Sequence, residues 1–469
     1  MFPSAFFGGR ILTRTYDSLN RPTGFALGTS SDPAADHAVT YGYDTAGRLA
    51  TVQDPSRTWT YSFVPNSASL LSGVTSGNYS VTYSYEPGRN AITSVENKVR
   101  TSTVSAFTYT NNALGQRTAR SQGGTVFAGA ATESFGYNAK GEVTSSTHSG
   151  NSTRNTEFDY DGIGNRNWAA FAGGNTTYTA NVLNQYSEVD LGTPVTPTYD
   201  NDGNMLSDGA GKRLVWDGEN RLVEVRDASN NLIATYTYDG QNRRVKKVTS
   251  SLAPQGVTEE VYVYDGWNRI AMYSLHTSSF NLHTSYTWGR DLSGSLEGAG
   301  GVGGLLGIKE GANSYRVSYD ANGNVSELIA ATGNMAAHYE YDPFGNVVVS
   351  SGNYAVANPW RFSTKPVDAE TGYSYYGYRY YNPVDGRWIN RDPIGEAGGM
   401  NLYACLANSL LSNVDMLGMF PNPVTDSFLI HMILQVALAT LGDQVTPKLL
   451  SHHVYGKGAT YRFFTEFHG

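Results

Sequence analysis

One degenerate phrase is written over and over along this chain. A strand-like run closes on Tyr-Asp, a few turn residues follow, and a second strand leaves through Gly or Asn and then Arg or an aliphatic residue. Clear copies are Tyr43-Asp44-Thr45-Ala46-Gly47-Arg48-Leu49, Tyr238-Asp239-Gly240-Gln241-Asn242-Arg243, Tyr264-Asp265-Gly266-Trp267-Asn268-Arg269, Tyr319-Asp320-Ala321-Asn322-Gly323-Asn324-Val325 and Tyr341-Asp342-Pro343-Phe344-Gly345-Asn346-Val347. Looser ones sit at Tyr16-Asp17, Tyr109, Tyr137, Tyr160-Asp161, Tyr199-Asp200 and Trp216-Asp217. A short unit of this kind cannot bury its own apolar face. It has to stack on its neighbours, so the chain reads as one array and not as a string of independent domains.

The unit has the chemistry of a β-hairpin. Alternation before the tyrosine, as in Ala234-Thr235-Tyr236-Thr237-Tyr238, puts aromatic rings on one face. Asp then supplies a side chain that bonds its own backbone, and Gly or Asn tolerates the positive φ that a tight turn needs. Tyrosines one unit apart are expected to stack into ladders. The 33 Tyr, 52 Gly and only 16% charged residues suit many short strands with little long helix. The expected class is all-β: antiparallel strand-turn-strand repeats wound as a β-spiral or open shell, with a short α-helical C-terminal tail. Residues 1–350 would be the array, 351–418 a dense core, and 419–469 a separate tail. Residues 1–418 should form one curved antiparallel ribbon that makes only part of a shell.

Several function classes are disfavoured. With a net charge of −8 the array carries no basic stripe, so nucleic acid is not an expected partner for it. The single cysteine, Cys405, excludes internal disulfides and CxxC metal sites, and its apolar surroundings mark it as core. Met1 to Phe7 lacks the basic and apolar regions of a signal peptide. The apolar stretch from Phe428 to Leu441 is interrupted by His431 and Gln435 and is too short to span a bilayer. Gly294–Gly307 is glycine-rich but has no GK[ST], so a bend or a close backbone approach is expected in place of a phosphate cradle. Asp200-Asn201-Asp202-Gly203-Asn204 imitates the start of a calcium loop, lacks its closing Glu, and falls where a repeat turn is due. No cofactor and no metal are expected.

Past Tyr341 the text changes. The run Asn358-Pro359-Trp360-Arg361-Phe362-Ser363, Asp368-Ala369-Glu370-Thr371-Gly372, Tyr375-Tyr376-Gly377-Tyr378-Arg379-Tyr380-Tyr381-Asn382-Pro383, Gly386-Arg387-Trp388-Ile389-Asn390-Arg391-Asp392-Pro393-Ile394-Gly395, Asn401-Leu402-Tyr403, Asn408 and Asp415-Met416-Leu417-Gly418 resembles the RHS-repeat-associated core domain. RHS proteins are similar in turn to the C-components of bacterial ABC toxin complexes and to the shell of teneurins. The resemblance implies a β-spiral closing into a hollow shell, with the core wound inward as a plug and a variable C-terminal toxin kept inside. It also implies an aspartic-protease-like site that cuts the chain just after the second DPxG motif. That motif spacing is met by Asp392-Pro393-Ile394-Gly395, Glu396, residues 397–414 and Asp415, and Arg379 matches the family's arginine. The cut is expected near Gly418-Met419-Phe420.

The chemistry is sensible in its own right, because two carboxylates in a dry site share a proton and can activate water while polarising a carbonyl. Two positions depart from the family pattern: Met416 and Leu410 stand where proline would fix the backbone. The competing reading makes Asp392 and Asp415 turn initiators only, each exposed and bonded to its own backbone. Implied partners are the enclosed toxin segment, a secretion-system or toxin-complex partner and an immunity protein. The implied location is secreted or cell-surface by a route without a signal peptide, with a cytoplasmic stage before export. In the tail, a helix is expected over about 426–441. His431, His452, His453 and His468 cluster there without a nuclease pattern, and a truncated toxin and a vestige both stay open. A surface or adhesion module binding glycans or proteins is the alternative function.

Overall fold

A computed structural model describes residues 9–276, 279–419 and 421–423. The expected helix at 426–441 and the four tail histidines lie outside the described residues. The described residues belong to one unit, Met1–Phe428.

The repeats fold as antiparallel meanders in which each strand pairs with the one before and the one after it. A 17-stranded sheet runs from Ile11–Tyr16 to Pro194–Val195, and a 14-stranded sheet from Thr198–Tyr199 to Val347–Ser351. Both are open sheets, as an open β-shell requires. The ribbon expected over 1–418 is therefore split within the array in the stretch Pro194-Val195-Thr196-Pro197, where two prolines remove ladder donors, and the core segment adds a separate 3-stranded and a 2-stranded sheet.

The turns show why the phrase reads as it does. At Asp342 the carboxylate Oδ1 accepts from the backbone N–H of Phe344 (2.8 Å) and Asn346 (3.0 Å), while Oδ2 takes the Asn346 amide at 2.8 Å. Gly345, at φ +88°, makes the left-handed step that brings Tyr341 opposite Val347. Asn242 makes the same step at φ +63° in the Asp239 turn, where Arg243 binds Asp239 through both its backbone N–H and its Nε. Asp200 follows this pattern too, so the imitation of a calcium loop is a repeat turn. One clear sequence copy is built differently. Asp265 pairs directly with Asn268 across a shorter turn, and its carboxylate meets the Arg14 guanidinium from the far end of the array.

The tyrosine ladder differs from the expected ring-on-ring stack. Turn tyrosines donate their hydroxyls to the carbonyl that opens the outgoing strand of the previous hairpin: Tyr43 to Pro22 (2.8 Å), Tyr160 to Val143 (2.7 Å), Tyr238 to Leu222 (2.7 Å) and Tyr341 to Val325 (2.8 Å). The turn arginine of one unit lies over the next ring, Arg21 over Tyr43 at 4.3 Å and Arg243 over Tyr264 at 5.3 Å. The twist between neighbouring strands offsets the rings, and the phenol's polar end finds a nearer partner in the backbone. Tyr341→Phe should therefore cost about 1–2 kcal/mol, because the buried Val325 carbonyl loses a donor. An unchanged chemical-denaturation midpoint would show that the hydroxyl contributes nothing.

The inner faces of the two sheets meet. Tyr79 reaches Ser318 Oγ at 3.1 Å, Ser105 donates to Glu327 at 2.7 Å, and Thr287 to Asp54 at 3.0 Å. Residues 358–418 fill the remaining space. Trp360, Tyr376, Tyr380, Trp388 and Tyr403 are all buried. Trp360 packs edge-on against Tyr286 and Trp288, the Tyr380 hydroxyl meets that of Tyr238 at 2.7 Å, and Tyr403 donates to Gly203 O at 2.8 Å. Trp388 packs against Tyr376 and Tyr381 of the core segment itself. Cys405 is fully buried among these groups.

Candidate active site

Three short stretches of the core segment converge. Arg379 precedes the strand Tyr380–Asn382 and lies over the Trp388 ring at 4.3 Å. Asp392 follows the strand Arg387–Trp388; its N–H donates to Leu402 O at 3.0 Å, and its Oδ1 accepts from Ile394 N at 3.0 Å. Asp415 closes the strand Asn413–Asp415, and its Oδ1 accepts from the N–H of Leu417 (3.2 Å), Gly418 (2.6 Å) and Met419 (3.0 Å).

The second oxygen of each carboxylate turns to the same place. Arg379 Nη2 lies 2.9 Å from Asp392 Oδ2 and 3.6 Å from Asp415 Oδ2. Both Asp residues therefore initiate turns, as the competing reading expects. Yet neither is exposed, at 9% and 2% of full accessibility, and each keeps one oxygen for the guanidinium they share. Burial pushes the Asp392 carboxyl up to about 6 against the pull of Arg379, with the charge of Asp415 adding to the rise. Burial also raises Asp415 and lowers Arg379. Burial and the neighbouring charge of Asp415 therefore both favour the protonated form of Asp392.

The chain after Asp415 is presented to this pair. The strand Pro421–Pro423 returns antiparallel on Asn413–Asp415, with Asp415 opposite Pro421, so residues 416–419 lie in the tip of a hairpin. Successive carbonyls of the tip are gripped: Met416 O by Lys365 Nζ at 2.6 Å, Leu417 O by Tyr378 N at 3.0 Å, and Gly418 O by Arg379 Nε. Phe420 itself lies outside the described residues. Met419 and Asp392 both border a cavity of about 480 Å3, whose walls include Tyr378, Arg391, Asp202 and Arg221. Water can therefore stand beside Asp392, while Asp415 remains dry.

Sequence reasoning named Arg379, Asp392 and Asp415, and the fold brings the three together. It missed Lys365, which carries no motif signal between Arg361 and Asp368, and Gly398; the close backbone approach expected of the glycine-rich segment is made at Gly300. The glycine-rich segment is pinned through the buried Asp291, which accepts from Ala299 N (2.6 Å) and Gly301 N (3.2 Å). A Cβ on Gly300 would lie 2.2 Å from Met416 O. A Cβ on Gly398 would lie 2.4 Å from Asp392 Oδ2 and 3.2 Å from Met419 O. Gly398→Ala should therefore push Asp392 off Arg379 while leaving the repeats intact. The cut expected near Gly418-Met419-Phe420 should slow about 100-fold with an unchanged melting profile; a cut at the parent rate would show that this contact does not position the carboxylate.

The Teneurin YD-shell family matches residues 75–397. The tRNA3(Ser)-specific nuclease WapA of Bacillus spizizenii is 31% identical over 269 residues, which cover 55% of this chain and 11% of that protein. Toxin subunit YenC1 of Yersinia entomophaga is 29% identical over 287 residues, 56% of this chain and 29% of that subunit. Among solved structures, the TcdB2-TccC3-Cdc42 crystal structure superposes with a TM-score of 0.57 at 19% identity, over 87% of this chain and 20% of that one. The chain thus spans well under two thirds of the proteins it matches. Among the described residues no helix is long and apolar enough to cross a membrane.

Proposed function

The chain belongs to the Teneurin YD-shell family, and from that premise we propose that it is part of an RHS-type shell that carries a C-terminal passenger and cuts itself once, between its core and that passenger, at Gly418–Phe420. The observation that carries the reading is the pair of buried carboxylates turned to one guanidinium nitrogen beside a hairpin tip. One carboxylate, ionised, takes a proton from a water drawn from the cavity beside Asp392. The water oxygen attacks a carbonyl carbon of the tip, and the other carboxyl gives its proton to the carbonyl oxygen. Collapse breaks the C–N bond, the leaving amine takes up the proton, and a new carboxylate and amine remain. Arg379 holds both acids and polarises the Gly418 carbonyl.

The passenger is proposed to be toxic, and its delivery to involve a toxin-complex or secretion-system partner, an immunity protein and export without a signal peptide. The names of the relatives, a nuclease and a toxin subunit, support this. Adhesion through the repeats alone would leave the buried acid pair without a role.

The test is intact mass of the purified full chain over time and across pH. A single break within Gly418–Phe420 is expected, with both fragments retained. One of the two acids must keep its proton, so the rate should decline as pH rises above about 6, where Asp392 ionises in the presence of its partner. A chain that stays whole at every pH overturns the reading.

A further inference from the structure

Lys365 is the charged group nearest the hairpin tip that the acid pair does not account for. Its ammonium is buried and donates to Met416 O at 2.6 Å and to Gly300 O at 2.8 Å. It therefore ties the residue after Asp415 to the glycine-rich segment, where Gly300 leaves no room for a Cβ. The backbone leading to it is strained: Ser363 and Thr364 sit at φ +51° and +52°, a region that a β-branched residue seldom occupies. Two neighbours hold that strain in place. Ser363 N donates to Asn324 Oδ1 at 2.8 Å, and Thr364 Oγ1 donates to Gly323 O at 2.7 Å while accepting from Gly303 N at 2.8 Å. Both Asn324 and Gly323 belong to the Asp320 repeat turn, so the array itself aims the lysine at the tip. Asp415 and Asp291 flank the ammonium as opposite charges, and the Tyr376 ring lies 5.4 Å away.

We propose that Lys365 is a positioning residue of the self-cleavage site, clamping the Met416 carbonyl so that residues 417–419 stay in front of Asp392. The inference rests on the self-cleavage reading. Its physical content is simple. An apolar side chain at 365 would leave two half-buried carbonyls without their Lys365 donor, and the tip would relax to find water. A displacement of about 1 Å at the reacting bond costs about 100-fold in rate.

The experiment separates the clamp from the chemistry. In the full chain carrying Asp392→Asn, hydrogen exchange is followed with and without Lys365→Met. Amides 417–419 should exchange at least about tenfold faster in the double variant, while those of Tyr380–Asn382 keep their protection. In the otherwise native chain, Lys365→Met should slow self-cleavage about 100-fold, and Lys365→Gln, which retains a donor, should fall between. Should Lys365→Met not fold, Lys365→Gln is compared in its place, with a smaller but selective rise expected at amides 417–419. Unchanged exchange at 417–419, or an equal rise at 380–382, overturns the clamp. Selective loosening at 417–419 in a chain whose parent never cuts supports the clamp and removes the self-cleavage reading.

Discussion

Asp392→Asn is expected to leave the purified chain as one uncut polypeptide, with the rate of any residual cleavage down by about 100-fold or more. The amide keeps the shape of the carboxylate, and its oxygen can still accept from Ile394 N, so the turn survives. It can neither take nor hold the shared proton. Asp415→Asn should have the same effect on cutting, since neither acid works without the other. A stability measurement distinguishes this from damage to the fold. The folded-state value of Asp392, about 6, lies above its ordinary 3.8, so the native chain binds more protons than the unfolded chain between those limits. The stability contributed by that group is full below the lower value and is lost as pH rises through the upper one. Asn does not titrate, so the variant should gain on the parent as pH goes from 4 to 7, by at most about 3 kcal/mol. Cleavage of Asp392→Asn at the parent rate would dismiss the acid pair as the catalyst. A stability difference of the opposite slope would show that the ionised carboxylate is favoured in the folded chain.

Asp368→Ala should be the most destabilising single change in the core segment, at about 3–5 kcal/mol. Its carboxylate meets Arg244 through two bonds, 2.5 and 2.8 Å, with both side chains almost fully buried, at 2% and 1% accessibility. Lys247 Nζ approaches the same carboxylate at 3.5 Å. Burial acts most strongly on Asp368 and would raise it, but Arg244 and Lys247 together bring it below the ordinary carboxylate range. Removing the acid leaves the guanidinium between the rings of Tyr236 and Tyr375, 4.7 and 4.6 Å away, without its counter-charge. The pair also joins the strand Arg244–Thr249 of the array to the segment that carries the acid pair, so self-cleavage should slow as the segment loosens. Leucine at both positions should cost less than the two single losses added together, because no charge is left behind. A denaturation midpoint shifted by less than about 1 kcal/mol for Asp368→Ala would mean that water reaches Arg244.

The local layer of this protein was legible without coordinates. Asp at the head of each turn, Gly or Asn at its left-handed step and alternation before the tyrosine are all short-range rules, satisfied within a handful of residues. Hairpins at Asp239, Asp320 and Asp342 therefore form as read. The resemblance to the RHS-repeat-associated core, carried by the spacing from Asp392 to Asp415, likewise marked two acids and an arginine in advance, since a motif encodes which groups must meet. What the sequence left open depends on approaches between residues far apart in the chain. Asp265 carries the same local signal as Asp239, yet it bonds Arg14, because the packing of the sheets brings that guanidinium to it. The turn tyrosines bond the backbone of the neighbouring hairpin, a contact set by how the strands pack side by side and not by the unit alone.

Within the site, the sequence by itself determined the acids, the arginine and the turn geometry that occupies one oxygen of each carboxylate. Only the tertiary structure decided that the other oxygen of each faces the same nitrogen, that Gly398 and Gly300 leave room for backbone and carboxylate to touch, and that Lys365 reaches Met416 from across the core. The physical reason is that hydrogen-bonded turns are fixed by neighbours in sequence, whereas burial, shared charge and close approach arise only when separate segments are packed against one another.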